Sequence, residues 1–194
     1  YAGQLTVREA LQQSLNIPAV AVLEQVGPDR VATRLREAGL PLHWSAAHPQ
    51  PGLPLVLGGV GMTLEELTTL YVGLANGGEI APLRFGPADP DPPGRPLLTE
   101  VACWYLADIL GNAPLPPNVL TPSSSARSRT IAYKTGTSYG FRDAWALGFD
   151  PNYTVGVWMG RPDGSPSPGH YGRNTAAPLL FRIFDLLPEA TTVP

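Results

Sequence analysis

Residues 131–160 constrain the fold more than any other stretch, because they divide into three short runs of alternating character: Ile131 to Ser138, Asp143 to Phe149 and Tyr153 to Gly160. Alternation with period two, rich in aromatic and β-branched residues, describes strands buried on one face. Asp150-Pro151-Asn152 between the second and third runs is suited to a hairpin turn, so the runs read as an antiparallel meander. Along them Trp145, Leu147 and Phe149 share one face and Val155, Val157 and Met159 another, while Ala144, Ala146, Gly148 and Gly156 are small on the opposite side. Small residues let a helix approach closely. Thr175 to Leu187, with Leu179, Leu180, Ile183, Phe184 and Leu187 at helical spacing, is the helix available to pack there. The predicted class is α+β, an antiparallel sheet flanked by helices.

The chain before the sheet reads as helical. Thr6-Val7-Arg8-Glu9 is a capping box that opens a short helix. Asn16 is the expected cap of a second, with Pro18 in its first turn and Ala19, Val20, Val22, Leu23 and Val26 as its apolar residues. Val31, Leu35 and Ala38 carry a third, ended by Gly39. Residues 41–57 read as a surface-packed loop. Thr63-Leu64-Glu65-Glu66 is a second capping box before a helix that stops at Asn76-Gly77-Gly78. The glycines Gly58, Gly59 and Gly61 ahead of it lack the Gly-Lys-Ser/Thr ending of a phosphate-binding loop, which favours a structural role. Residues 86–97 are a proline-rich connector, and Thr99 caps a helix over Val101 to Leu110. The expected organisation is a mainly helical part over 1–111, a loop over 112–129, and three strands with a closing helix over 130–194.

Composition removes several function classes. Net charge is −3 with scattered basic residues, so no footprint for nucleic acid is visible. The single cysteine, Cys103, sits in a helical apolar pattern as a small buried thiol, and no internal disulfide can form. His43, His48 and His170 lack ligand-like spacing, so no metal is expected. No apolar run reaches membrane-spanning length. Tyr1 carries neither an initiator Met nor a leader, from which a segment cut from a longer protein is expected.

Chemistry concentrates at Lys134. It is the only lysine in 194 residues, against twelve arginines. A compact ammonium kept in an arginine-biased chain marks a tight pocket, since guanidinium is larger, planar and never deprotonated. Lys134-Thr135-Gly136-Thr137-Ser138 lies on the first strand, where a glycine usually marks close approach of a ligand or another backbone. Period two puts Lys134 and Gly136 on one face and Thr135 and Thr137 on the other, so both pairs can serve one site only at a sheet edge. Earlier, Ser14 and Asn16 place a hydroxyl and an amide two residues apart on a helix-to-helix turn, a pattern that a helix cap also explains.

Ser-x-x-Lys, Ser-x-Asn and Lys-Thr-Gly together are the motif set of class A β-lactamases and penicillin-binding proteins. Ser14-Leu15-Asn16 and Lys134-Thr135-Gly136 match the second and third, in family order. The stretch KTGTSYGFRDAWALGFDPNYTVGVWMGRPDG, together with TVREALQQSLNIPAV and LGGVGMTLEELTTLYVGLANGG, resembles the transpeptidase domain of bifunctional class A penicillin-binding proteins, of the penicillin-binding protein 1C type. Ser-x-x-Lys is not in this sequence, because Ile131 stands three residues before the only lysine. The resemblance implies that this motif lies upstream of Tyr1, together with two strands of the sheet. It thus implies a β-lactamase/penicillin-binding-protein-like fold without its nucleophile helix and first two strands.

The resemblance also implies roles. Ser14 would shuttle a proton, Asn16 would hold the substrate and the absent lysine, and Lys134 would keep its charge near Ser14. Thr135 and Thr137 would offer hydroxyls to the donor carboxylate, the Thr137 N–H would be an oxyanion donor, and Gly136 and Ser138 would border the substrate. Peptidoglycan stem peptides, β-lactams and the N-terminal remainder of the protein are the implied partners, with no cofactor. The implied location is extracytoplasmic, on a membrane-anchored parent with glycosyltransferase activity, and this segment alone is expected to be inactive. A non-catalytic module binding wall peptide or a partner, and a β-lactamase-like hydrolase, are the alternatives.

Overall fold

The computed structural model describes residues 3–46, 49–117, 119 and 129–188. His48 and most of the expected loop over 112–129, residues 118 and 120–128, lie outside the described residues. The chain forms two compact units, one through Ile109 and one from Leu110.

The first unit is built from α1 (Val7–Gln12), α2 (Asn16–Val26), α3 (Pro28–Glu37), a 3-10 turn (Leu53–Leu57), α4 (Leu64–Ala75) and α5 (Glu100–Gly111), the last crossing into the second unit by two residues. Both capping boxes form: Glu9 and Thr6 exchange side-chain-to-backbone bonds, as do Glu66 and Thr63. Thr99 Oγ1 accepts from the Ala102 N–H at 3.2 Å, starting α5. The expected loop over 41–57 is partly ordered by the 3-10 turn and by a bridge from His43 to Gly61. His43 is exposed and its Nε2 meets Glu66 Oε1 at 2.8 Å.

The proline-rich connector does more than connect. Arg95–Pro96 (β2) pairs antiparallel with Glu79–Ile80 (β1), a two-stranded ribbon that the scattered prolines conceal. Its Ile80 joins Ala38, Leu40 and Leu97 in the buried cluster of this unit, with Leu35 and Leu70 against it. Ile80 packs where a side chain on Gly73 of α4 would sit, which explains that glycine inside a helix. Gly59 and Gly61 likewise abut Pro54 and His43, so the glycine run serves local packing. Cys103 is buried, and burial pushes its thiol pKa up.

The second unit holds a sheet of order β3-β4-β5, with β3 Ala132–Thr137, β4 Asp143–Phe149 and β5 Thr154–Gly160, all antiparallel. A π-helical turn, Gly172–Ala176, leads into α6, Ala177–Leu186. Tyr133, Ala144, Ala146 and Val157 form one buried face with Leu180, Phe181 and Phe184 of α6. The small residues admit the helix as expected: a side chain on Gly148 would come within 3.1 Å of Leu180. Gly156 is the exception, since the register sets it opposite Leu147 and therefore on the Trp145 face. The Tyr133 and Phe181 rings meet edge to face at 5.0 Å.

The hairpin turn at Asp150-Pro151-Asn152 forms around a buried carboxylate. Asp150 Oδ1 accepts the Asn152 and Tyr153 N–H groups at 2.8 and 2.7 Å. Its Oδ2 lies 3.0 Å from Arg129 Nε, both side chains being almost wholly removed from solvent. Arg129 also donates to the carbonyls of Phe184, Leu187 and Pro188 at the end of α6 and lies over the Tyr153 and Phe184 rings.

Candidate active site

Among the described residues β3 pairs with β4 alone, so its other edge is unpaired in the described sheet. Along it Ala132 and Tyr133 are buried, Lys134 and Thr135 half-buried, and Gly136 and Thr137 exposed, so the strand climbs out of the core as it crosses the sequence of interest. Lys134 sits opposite Leu147 and Gly136 opposite Trp145, whereas Thr135 and Thr137 stand opposite Ala146 and Ala144 on the other face. At a free edge, a ligand strand can meet both sets.

Lys134 Nζ donates to the Thr135 carbonyl at 2.8 Å. Burial, with the Arg173 guanidinium nearby as the lesser cause, lowers the pKa of its ammonium from the usual lysine value. A destabilised ammonium gives up a proton more readily, which is the property a proton-relay group needs.

Gly136 does not have a positive φ, and a side chain there would meet only Trp145 Cβ at 3.6 Å, an ordinary contact. The fold therefore does not demand this glycine. Thr137 Oγ1 accepts the Gly172 N–H at 3.0 Å. Ser138 closes the β3–β4 connection: its Oγ accepts the Asp143 N–H at 2.9 Å, and its N–H donates to the Asp143 carbonyl at 3.0 Å.

Ser14 and Asn16 belong to the first unit, on the turn from α1 to α2. Asn16 is not the helix cap expected: Leu15 takes the N-cap position without a side-chain bond, and Asn16 is the first helical residue. The chain turns one residue earlier, at Ser14, whose φ of 57° is left-handed and uncommon for a residue with a side chain. Its N–H donates to the Leu11 carbonyl at 3.1 Å, and that of Leu15 to Ala10 at 3.0 Å, so the turn sets the exposed Ser14 and Asn16 on one short segment. Capping thus does not account for Asn16, and local strain of this kind clusters at functional sites.

The family described as penicillin binding protein transpeptidase domain matches residues 1–185. The chain is 43% identical over 187 residues to penicillin-binding protein 1C of Escherichia coli (strain K12), covering 96% of this chain and 24% of that protein. The chain belongs to the penicillin-binding protein transpeptidase family.

Solved structures of the fold agree. Penicillin-binding protein 1A from Haemophilus influenzae superposes with a TM-score of 0.76 at 20% identity, covering 98% of this chain and 36% of that one. Penicillin-binding protein A from Mycobacterium tuberculosis, as an imipenem acyl-enzyme complex, gives 0.67 at 19% identity, covering 93% and 47%. The chain spans about a quarter of the length of the curated relatives it matches, 24% and 22% for the first two. In this transpeptidase domain the Lys-Thr-Gly motif spans the half-buried middle of β3 and the start of its exposed end, and Ser-x-Asn is the α1–α2 turn.

Two residues beside β3 escape sequence reasoning. Gly172 and Arg173 precede the closing helix expected from Thr175, yet they open the π-helical turn against β3 and β4. Arg173 donates to the Leu115 carbonyl at 3.1 Å, and its charge bears on both Tyr133 and Lys134. Only a helix signal running a few residues earlier than Thr175 could have flagged them. No group of His, Cys, Asp or Glu among the described residues is arranged to hold a metal.

Proposed function

We propose that this chain supplies the substrate-holding and proton-relaying part of a serine DD-transpeptidase that cross-links peptidoglycan stem peptides and is acylated by β-lactams. The observation that supports the reading is the β3 edge, unpaired among the described strands, along which Lys134 and Gly136 lie on one face and Thr135 and Thr137 on the other. A D-Ala-D-Ala donor lies along that edge, and Gly136 leaves room for it. Thr135 and Thr137 offer hydroxyls to its terminal carboxylate, with Ser138 at the end of the strand. The Thr137 N–H donates to the oxyanion, a contact whose loss typically costs about 3 kcal/mol in the barrier.

Lys134, Ser14 and Asn16 carry the proton and the donor amide. The depressed pKa of Lys134 suits it to a proton-relay role, and the family reading gives Ser14 a proton-relay role and Asn16 the substrate amide. The attacking serine, with its Ser-x-x-Lys lysine, comes from outside these 194 residues, because the only lysine here is Lys134. No described helix is long and apolar enough to cross a membrane. An extracytoplasmic setting on a membrane-anchored parent with a glycosyltransferase domain follows from the family reading.

The test is acylation of the full-length protein by a fluorescent penicillin. A serine-linked adduct is expected, formed on the order of 100-fold more slowly in Lys134→Ala, and none is expected on the 194-residue chain alone. A full-length protein that binds wall peptide without being acylated is a binding module, and one that turns penicillin over rapidly is a hydrolase. An adduct on a serine of the isolated chain overturns the reading that the nucleophile lies outside these 194 residues.

A further inference from the structure

The π-helical turn is held against β3 at a point the sequence does not mark. Gly172 is buried, and its N–H donates to Thr137 Oγ1 at 3.0 Å. A side chain on Gly172 would overlap the Gly136 carbonyl oxygen and stand 2.6 Å from that of Trp145, the paired residues of β3 and β4. Its φ is not positive, so the glycine answers to this close approach and not to a turn conformation. The turn is pinned before and after this point: the Tyr171 and Phe141 rings meet edge to face at 5.1 Å, and Ala176 and Ala177 are fully buried. π-turns of this kind recur at functional sites.

A threonine hydroxyl has one hydrogen to donate and two lone pairs to accept with. The Gly172 N–H takes a lone pair of Thr137, so the hydroxyl hydrogen points away from that amide. Thr137 is exposed on the free strand, which leaves the ligand side for that hydrogen. We infer that Gly172 is a positioning residue that fixes the Thr137 hydroxyl as a hydrogen-bond donor toward a carboxylate lying on the β3 edge. The inference rests on the transpeptidase reading for the identity of that carboxylate, the terminal group of the acyl donor or of a β-lactam.

The experiment compares acylation of the full-length protein by benzylpenicillin and by its methyl ester, which lacks the anion. Gly172→Ala is expected to slow benzylpenicillin about ten-fold while changing the ester little, as the loss of one oriented hydrogen bond to a charged group would do. Thr137→Val does the same, Thr137→Ser retains the wild-type ratio, and the double variant is no slower than either single one. Equal slowing of both compounds, or losses that multiply in the double variant, would overturn the inference, since a merely structural role moves both alike. If Gly172→Ala fails to fold, hydrogen exchange of the peptide carrying Gly172 decides: exchange of that amide rises about ten-fold in Thr137→Val if the bond exists in solution. Unchanged exchange overturns it. A full-length wild-type protein that no penicillin acylates removes the transpeptidase reading, while the exchange measurement still tests the Gly172–Thr137 bond.

Discussion

Lys134 and Gly136 show how differently two neighbours relate to the fold. Holding Lys134 against desolvation lowers the ammonium's pKa, so the folded state binds its proton less tightly than the unfolded chain does. Stability therefore rises with pH between the folded and unfolded pKa values, and below both the buried charge is a fixed cost. Lys134→Met is expected to raise the thermal midpoint at pH 7 by about 2 °C, with the gap to wild type closing as the pH approaches about 10. A midpoint that falls at pH 7, or a gap independent of pH, contradicts the assignment. Gly136 has room for a methyl group beside Trp145. Gly136→Ala should leave the melting temperature within about 2 °C of wild type, yet slow penicillin acylation of the full-length protein. Parallel loss of both would mean that the glycine is structural.

Elements that announce themselves locally were legible. The strand alternation, both Thr-x-x-Glu boxes and the Thr99 cap depend on residues within four positions of one another, and all form. Asn16 misled because a cap is also decided by which residue turns the chain, and the left-handed Ser14 moved that point back. The β1–β2 ribbon and the π-turn depend on partners far along the sequence, so nothing local signalled them. Arg129 and Asp150 belong to the same class: Asp150 is readable as a turn residue, its buried partner is not. That pair fastens the β4–β5 hairpin to the end of α6. Arg129→Met strands a buried carboxylate and should cost about 3–5 kcal/mol by chemical denaturation. A loss below about 1 kcal/mol would place the pair with ordinary surface ion pairs.

At the scale of the molecule, the sheet of the second unit has two edges among the described residues, β3 and β5. β5 carries Val155, Val157 and the exposed Trp158, whose Nε1 donates to Asp143 at 2.9 Å. An apolar unpaired edge invites pairing with another chain. The 194-residue chain by itself should associate with rising concentration in light scattering, and Trp158→Lys, which charges the edge and keeps a partner for Asp143, should reduce that association. A chain that stays monomeric, or associates equally with the lysine present, removes β5 as the contact.

The sequence by itself determined the three strands of the larger sheet, the main helices and the family, because period-two alternation, capping boxes and the Ser-x-Asn and Lys-Thr-Gly motifs are local patterns whose meaning does not wait for the fold. It also determined that Lys134 and Gly136 face away from Thr135 and Thr137. Only the tertiary structure decided that β3 is an edge strand of the described sheet, that the Gly172 N–H meets the Thr137 hydroxyl, and that Lys134 is buried enough to lose affinity for its proton. Each of these depends on groups brought together from distant parts of the chain, and burial and hydrogen-bond partnership exist only once they have met.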